Sequence, residues 1–146
     1  MLAWLPVALW MILLFGASTD LGAPRQTSRF LVPLLRWLAP EISNACLERA
    51  QYAVRKTGHA VGYAVLAVLT WRARRRSRPE GDSSCRLRDA EFSLMLAVAY
   101  ACSDEWPQSF TASRNGSLAD VVLDATGAAA GLALIWIWEH RRRRPW

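Results

Sequence analysis

The sequence predicts an all-α, multi-pass membrane protein with four transmembrane helices and both termini in the cytoplasm. Two features of composition lead there. Hydrophobic residues make up 53% of the 146 residues and charged residues only 21%. They are also blocked rather than interleaved, with apolar runs alternating with arginine-rich patches, whereas soluble amphipathic elements mix the two. The third observation is length: 146 residues suffice for one architecture. The net charge of +6 raises the question of nucleic acid. No helix-turn-helix, zinc-finger or RNA-binding signature accompanies it, so anionic lipid head groups are the expected partner and nucleic acid is not. Cys46, Cys85 and Cys102 have no CxxC spacing and are expected to be small, partly buried residues rather than a disulfide framework or zinc site.

The first span is MLAWLPVALWMILLFGAS, residues 1–18. No basic residue precedes it, as a secretory signal requires, so it is expected to remain as a transmembrane helix. FLVPLLRWLAP, residues 30–40, is apolar with one arginine and two prolines, and is expected to lie along the outer membrane surface or over the bundle. The second span is HAVGYAVLAVLTW, residues 59–71, entered through the polar helical stretch SNACLERAQYAVRKTG; the third is EFSLMLAVAYACS, residues 91–103. Both reach spanning length only if their polar ends continue as helix into the head-group region or a closed cavity. The fourth, LADVVLDATGAAAGLALIWIW at 118–138, fits the requirement of about 20 residues for a bilayer core best.

Arginines orient the bundle. WRARRRSRPEGDSSCRLR, between the second and third spans, carries seven, and the tail HRRRRPW four more. The positive-inside rule places both segments and the N-terminus in the cytoplasm. Residues 1–140 then form the membrane domain and 141–146 a basic cytoplasmic tail. Trp71, Trp136 and Trp138 lie where an aromatic belt is expected.

CSDEWPQSFTASRNGSLADVVLDATG, residues 102–127, crowds ionisable and amide groups between two apolar segments. Helical spacing gives it a geometry. Tyr52, Lys56, His59 and Tyr63 share one face of the second helix; Ser93, Ala97, Tyr100 and Asp104 share one of the third; Ser117, Asp120, Asp124, Gly127 and Gly131 share one of the fourth. Intramembrane charges face the bundle interior or a wet cavity. The expectation is a shallow polar pocket open to the outside. The structural alternatives are specific: Ser117 and Asp120 form a capping-box pattern, Asn115-Gly116 is a turn dipeptide, and GAAAG from Gly127 to Gly131 is a small-residue packing face. Asp124, one turn inside its helix, needs a partner, for which Arg114 and His59 are candidates.

The order and spacing of KTGHAVGY, DEWPQSF, SRNGSLADVVLD and ATGAAAG resemble the VanZ-like membrane family over most of the chain. The resemblance implies a four-helix envelope protein of the bacterial plasma membrane, and the family's namesake is associated with resistance to the glycopeptide teicoplanin. The matching positions are Lys56, His59, Tyr63, Asp104, Glu105, Gln108, Arg114, Ser117, Asp120, Asp124 and Gly127. Many relatives carry a histidine before the glutamine; here it is Pro107, which weakens any mechanism needing a second imidazole. His140 cannot replace it, because the expected topology puts it across the membrane.

Two functions fit these residues. In the first, Lys56 and Arg114 as donors, with the carboxylates as acceptors, bind the head group of a lipid or lipid-linked cell-wall precursor, or contact an envelope protein complex. In the second, His59 is a general base held by Asp104 or Glu105, with Arg114 stabilising developing negative charge. No serine or cysteine lies in a recognisable nucleophile setting and no HExxH or phosphatase-like signature occurs, which favours binding over catalysis. A metal variant would draw on Asp104, Glu105, Asp120, Asp124 and His59, oxygen-rich ligands suited to magnesium, calcium or manganese. Its spacing matches no coordination motif, so no metal or other cofactor is expected. Transport has little support, since four short helices without a repeat leave little room for alternating access unless the chain forms a homo-oligomer.

Overall fold

A computed structural model describes residues 2–18, 24–77, 86–108 and 118–142, with the side chains of 24–27 and 105–108 outside the description. Described residues form helices only: a 3-10 turn, Leu2–Trp4, leads into α1 (Leu5–Ser18), followed by α2 (Pro24–Leu38), α3 (Asn44–Arg76), α4 (Arg86–Gln108) and α5 (Leu118–Arg142). The polar stretch before His59 and the apolar run after it are thus one continuous helix of 33 residues. Ser43 caps it, accepting a hydrogen bond from the Cys46 amide at 3.3 Å, and Arg74, Arg75 and Arg76 occupy its last turn, where cations complement the helix dipole. α5 is built likewise, with Asp120 in its first turn and His140, Arg141 and Arg142 in its last, so the first two tail arginines are helical.

α3 is the hub. Tyr63, Leu66, Ala67 and Trp71 from it meet Ala97 and Ala101 of α4, Ala128 and Leu132 of α5 and Val7 of α1 in one core. Helix direction follows from the contacts. Arg74 pairs with Asp89 and Tyr63 meets Tyr100, so α3 and α4 are antiparallel. Lys56 pairs with Asp120 and Arg75 with Glu139, so α3 and α5 are parallel. α1 docks through two hydrogen bonds to backbone carbonyls: Trp10 Nε1 donates to Gly62 O at 2.8 Å, and the Tyr100 hydroxyl donates to Met11 O at 2.6 Å.

The α3–α5 contact is the closest in the bundle. A Cβ on Gly127 would stand 2.8 Å from Ala60 Cα and closer still to its carbonyl oxygen; one on Gly131 would stand 2.8 Å from Ala64 O. Gly127 and Gly131 therefore lie against Ala60 and Ala64, and the two backbones approach as small-xxx-small faces allow.

α2 is a helix despite Pro33 within it, and no described residue of it is buried. Ser28 donates to Gln51 of α3 at 2.7 Å, while Phe30, Leu34 and Trp37, at i, i+4 and i+7, are exposed. Leu31, Val32 and Leu35 are half-buried on the side of Ser28, and the Phe30–Leu34–Trp37 stripe points outward.

Two local expectations need correction. Trp71 is 6% exposed, a core residue with the Arg75 guanidinium 4.8 Å above its ring, rather than part of a belt; Trp136 and Trp138 are exposed as a belt requires. Cys46 and Cys102 are free and exposed, not partly buried, because each falls on the outward face of its helix. By length and composition, α5 alone among the described helices can cross a membrane, and most of its apolar window faces outward; the apolar helix Leu2–Ser18 is shorter. α3 and α4 are long enough, but the apolar run of each is too short to fill a spanning stretch without charged neighbours.

The glycine contact yields a matched comparison. Gly58→Ala, where nothing lies within 4 Å of the added carbon, should hold or raise stability by up to about 1 kcal/mol through helix propensity. Gly127→Ala, the same chemical change, should cost about 1–3 kcal/mol because backbone must move. Thermal unfolding of each full-length variant followed by circular dichroism separates the two.

Candidate functional site

The parallel pairing of α3 and α5 sets a ladder of polar contacts at one end of the bundle. Its outer rung is the ion pair between Lys56 and Asp120, whose side chains retain 22% and 29% of their exposure. Lys56 is the sole lysine of the chain. Tyr52, one turn earlier, is exposed, with the ammonium 5.3 Å from its ring centre. The second rung is His59, whose Nδ1 lies 3.9 Å from Asp124 Oδ2. That distance is ionic contact when the imidazole is protonated and too long for a hydrogen bond. The His59 side chain keeps 35% of its exposure and Asp124 only 3%, so the imidazole stands between an accessible face and a buried carboxylate. Below them, the Gly127–Ala60 contact closes the seam.

The other two helices add a second branch. Asp104 is 9% exposed and accepts a hydrogen bond from the Ser18 hydroxyl at the end of α1. Tyr63 is buried at 1% exposure, and its ring centre lies 6.4 Å from that of Tyr100, one turn before Asp104. Lys56, His59, Tyr63, Asp104, Asp120 and Asp124 thus occupy the same end of the bundle on three helices. Glu105 and Gln108 lie in the last turn of α4, their side chains outside the described residues; Arg114 and Ser117 fall outside them altogether.

Three details differ from the expected arrangement. Asp104, expected beside His59 in the catalytic reading, instead meets Ser18 of α1, while His59 stands by Asp124, for which it is one of the two expected partners. Asp120 is more than a cap, since its carboxylate engages Lys56 across the seam. Ser18 was not foreseen; its only sequence signal is its position closing the first apolar run. Among the described residues no three His, Cys, Asp or Glu side chains gather where a metal ion could be held.

The opposite end carries polar pairs of its own. Arg74 Nε donates to Asp89 at 2.9 Å, with Asp89 buried and the guanidinium 4.2 Å from the Phe92 ring centre. Arg75 Nη1 lies 2.7 Å from both oxygens of Glu139. Two arginines of the RARRRSR run are thus helix-to-helix ties rather than free anchors, a role betrayed in sequence only by acidic residues on the facing helices. His140 stacks on Trp136, ring centres 5.5 Å apart, at this end and away from His59.

Among the described residues the fold is all-helical, with three carboxylates, Asp89, Asp104 and Asp124, buried between the helices. Residues 3–139 match the protein-family model VanZ/LLP1, so the chain belongs to that family over nearly its whole length. No curated protein and no solved structure matches it.

The outer rung is testable by a double-mutant cycle. Lys56→Ala and Asp120→Ala should each lower stability, and the double variant by less than their sum, with a coupling of about 1 kcal/mol for a partly exposed pair. Exchanging the two charges in one chain should recover stability that either single reversal loses, read by chemical unfolding.

Proposed function

We propose that α1, α3, α4 and α5 span the bacterial plasma membrane with both termini in the cytoplasm, and that the Lys56–Asp120 end opens outward as a polar pocket for the head group of a lipid or lipid-linked cell-wall precursor. The observation that carries this reading is the inverted distribution of side chains. Thr70, Asp89, Ser93, Asp104 and Asp124 are buried, while Leu5, Leu9, Ile12 and Phe15 of α1, Met95 of α4 and Val122, Leu134 and Trp136 of α5 are exposed. An apolar girdle of this kind is satisfied by lipid and unfavourable in water. Family membership supports the same reading. α2, with Phe30, Leu34 and Trp37 outward, then lies in the outer interface. Its attachment to the N-terminal half of α3 leaves it beside the pocket.

In the pocket, Lys56 and Arg114 supply positive charge to a phosphate or carboxylate, while Asp104, Asp120 and Asp124 hold the donors in place and accept from ligand hydroxyls or amines. Glu105 and Gln108, in the last turn of α4, add acceptor and amide groups at the rim. Occupancy of cell-wall precursor head groups would contribute to teicoplanin-type resistance by altering what the antibiotic meets outside the membrane. The His59–Asp124 pair favours a second reading, in which the buried carboxylate orients the imidazole for acid–base chemistry on an envelope substrate.

Two measurements test these statements. In single-cysteine variants, Cys46 should react with a membrane-impermeant maleimide in intact cells and Cys85 only after permeabilisation; the reverse pattern overturns the orientation. In a host expressing the chain, teicoplanin protection should be present with wild type and lost with Lys56→Ala and Arg114→Ala at equal membrane abundance. Loss with His59→Ala alone would favour the catalytic reading, and equal behaviour of every variant would exclude the pocket from resistance.

A further inference from the structure

A groove of about 740 Å³ runs along the outside of the α3–α5 seam, from Val61 toward the arginine end of the bundle. Its walls include Val65 and Val68 of α3 and Leu134 of α5, with Gly131 in its floor. The floor is low for the reason that the helices are close: at Gly131 and Ala64 neither helix has a side chain beyond Cβ. From Val61 to Arg72 it follows about 16 Å of helix. At its arginine end it closes on Arg72 and Arg141, one from each helix. There it adjoins a smaller pocket of about 460 Å³ that shares Arg72 and Trp138 and adds Arg76. Arg75 is matched by Glu139, but among the described residues no carboxylate pairs with Arg72 or Arg141.

We propose that this groove is a binding site for an anionic phospholipid of the cytoplasmic leaflet, with one acyl chain along the Gly131 floor and the phosphate between Arg72 and Arg141. The inference rests on the membrane orientation proposed above. The volume lies within the range of about 300–1,000 Å³ typical of ligand sites, and apolar walls ending in two arginines, one from each helix, match a hydrocarbon chain ending in a phosphate. Charge selects the occupant. A second copy docked about an axis along the membrane normal would bring Arg72 and Arg141 of both chains together without compensating carboxylates. An anionic lipid removes that repulsion.

The test is native mass spectrometry of the full chain released from detergent, with phosphatidylglycerol or phosphatidylcholine of identical acyl chains added. Recovery from cells only with detergent reports on the membrane reading separately, before any lipid is added. Phosphatidylglycerol should bind in preference, and Arg72→Gln/Arg141→Gln should weaken it about tenfold. Arg86→Gln/Arg88→Gln, which removes the same charge from α4, should leave it intact. Val68→Trp fills the groove without touching an arginine and should also displace the lipid, with circular dichroism confirming that each variant is folded. Equal binding of both lipids, equal loss in the two arginine pairs, or unchanged binding in Val68→Trp would overturn the proposal. A dimer abolished by Val68→Trp would assign the groove to a second copy instead.

Discussion

The bundle depends on how closely α3 and α5 approach. Two glycines on one helix and two alanines on the other remove the side chains that would hold the backbones apart. In the membrane arrangement proposed above there is little hydrophobic drive for helix association, and van der Waals contact between close backbones would supply it. That contact also fixes register and direction, and both ends of the molecule follow. Once Gly127 faces Ala60, Asp124 and Asp120 are delivered to His59 and Lys56 one and two turns away, while Glu139 reaches Arg75 at the other end.

The two ends are exposed to a similar degree and differ in how tightly their charges are paired. At the arginine end, Asp89 is sealed by Arg74 and Glu139 accepts both contacts from one Arg75 nitrogen. These are ties between helices, and removing Arg74 would leave Asp89 a buried, uncompensated charge. At the other end the pairs are graded, from the partly exposed Lys56–Asp120 pair to a half-buried imidazole and a buried carboxylate. His59, 3.9 Å from Asp124 and without a hydrogen bond to it, can exchange that contact for a ligand more readily than Arg74 and Arg75 can leave carboxylates hydrogen-bonded at 2.7–2.9 Å.

The helical class was legible because it rests on local pattern, and so was the gathering of Lys56, His59, Tyr63, Asp104, Asp120 and Asp124 at one end of the bundle. Spacing placed Lys56, His59 and Tyr63 on one face of α3 and Asp120 and Asp124 on one face of α5, and small-residue spacing marked Gly127 and Gly131 as a packing face. Partner choice was less legible, because it depends on which helices touch. Asp104 turned to Ser18 on α1, whereas Asp124 met His59, one of the two partners its position suggested. Trp71 was misplaced for a related reason: beside an arginine run it reads as a belt residue, yet it points into the core, and the arginine beneath that reading is Arg75, which covers its ring. The extent of α3 was visible only as a condition, that its polar half continue as helix. No apolar periodicity marks that half, and Ser43 and the bundle's contacts carry it.

The account stands on the parallel pairing of α3 and α5, and cross-linking in native membranes tests it most directly. In a cysteine-free background, cysteines would replace Lys56 with Asp120, Arg75 with Glu139, and, as a mixed pair, Lys56 with Glu139. A short bifunctional thiol reagent should join the first two pairs and leave the third, whose members are about 30 Å apart along the helices. Cross-linking of the mixed pair, or of none, would contradict the parallel arrangement and with it the polar end that the proposed function requires.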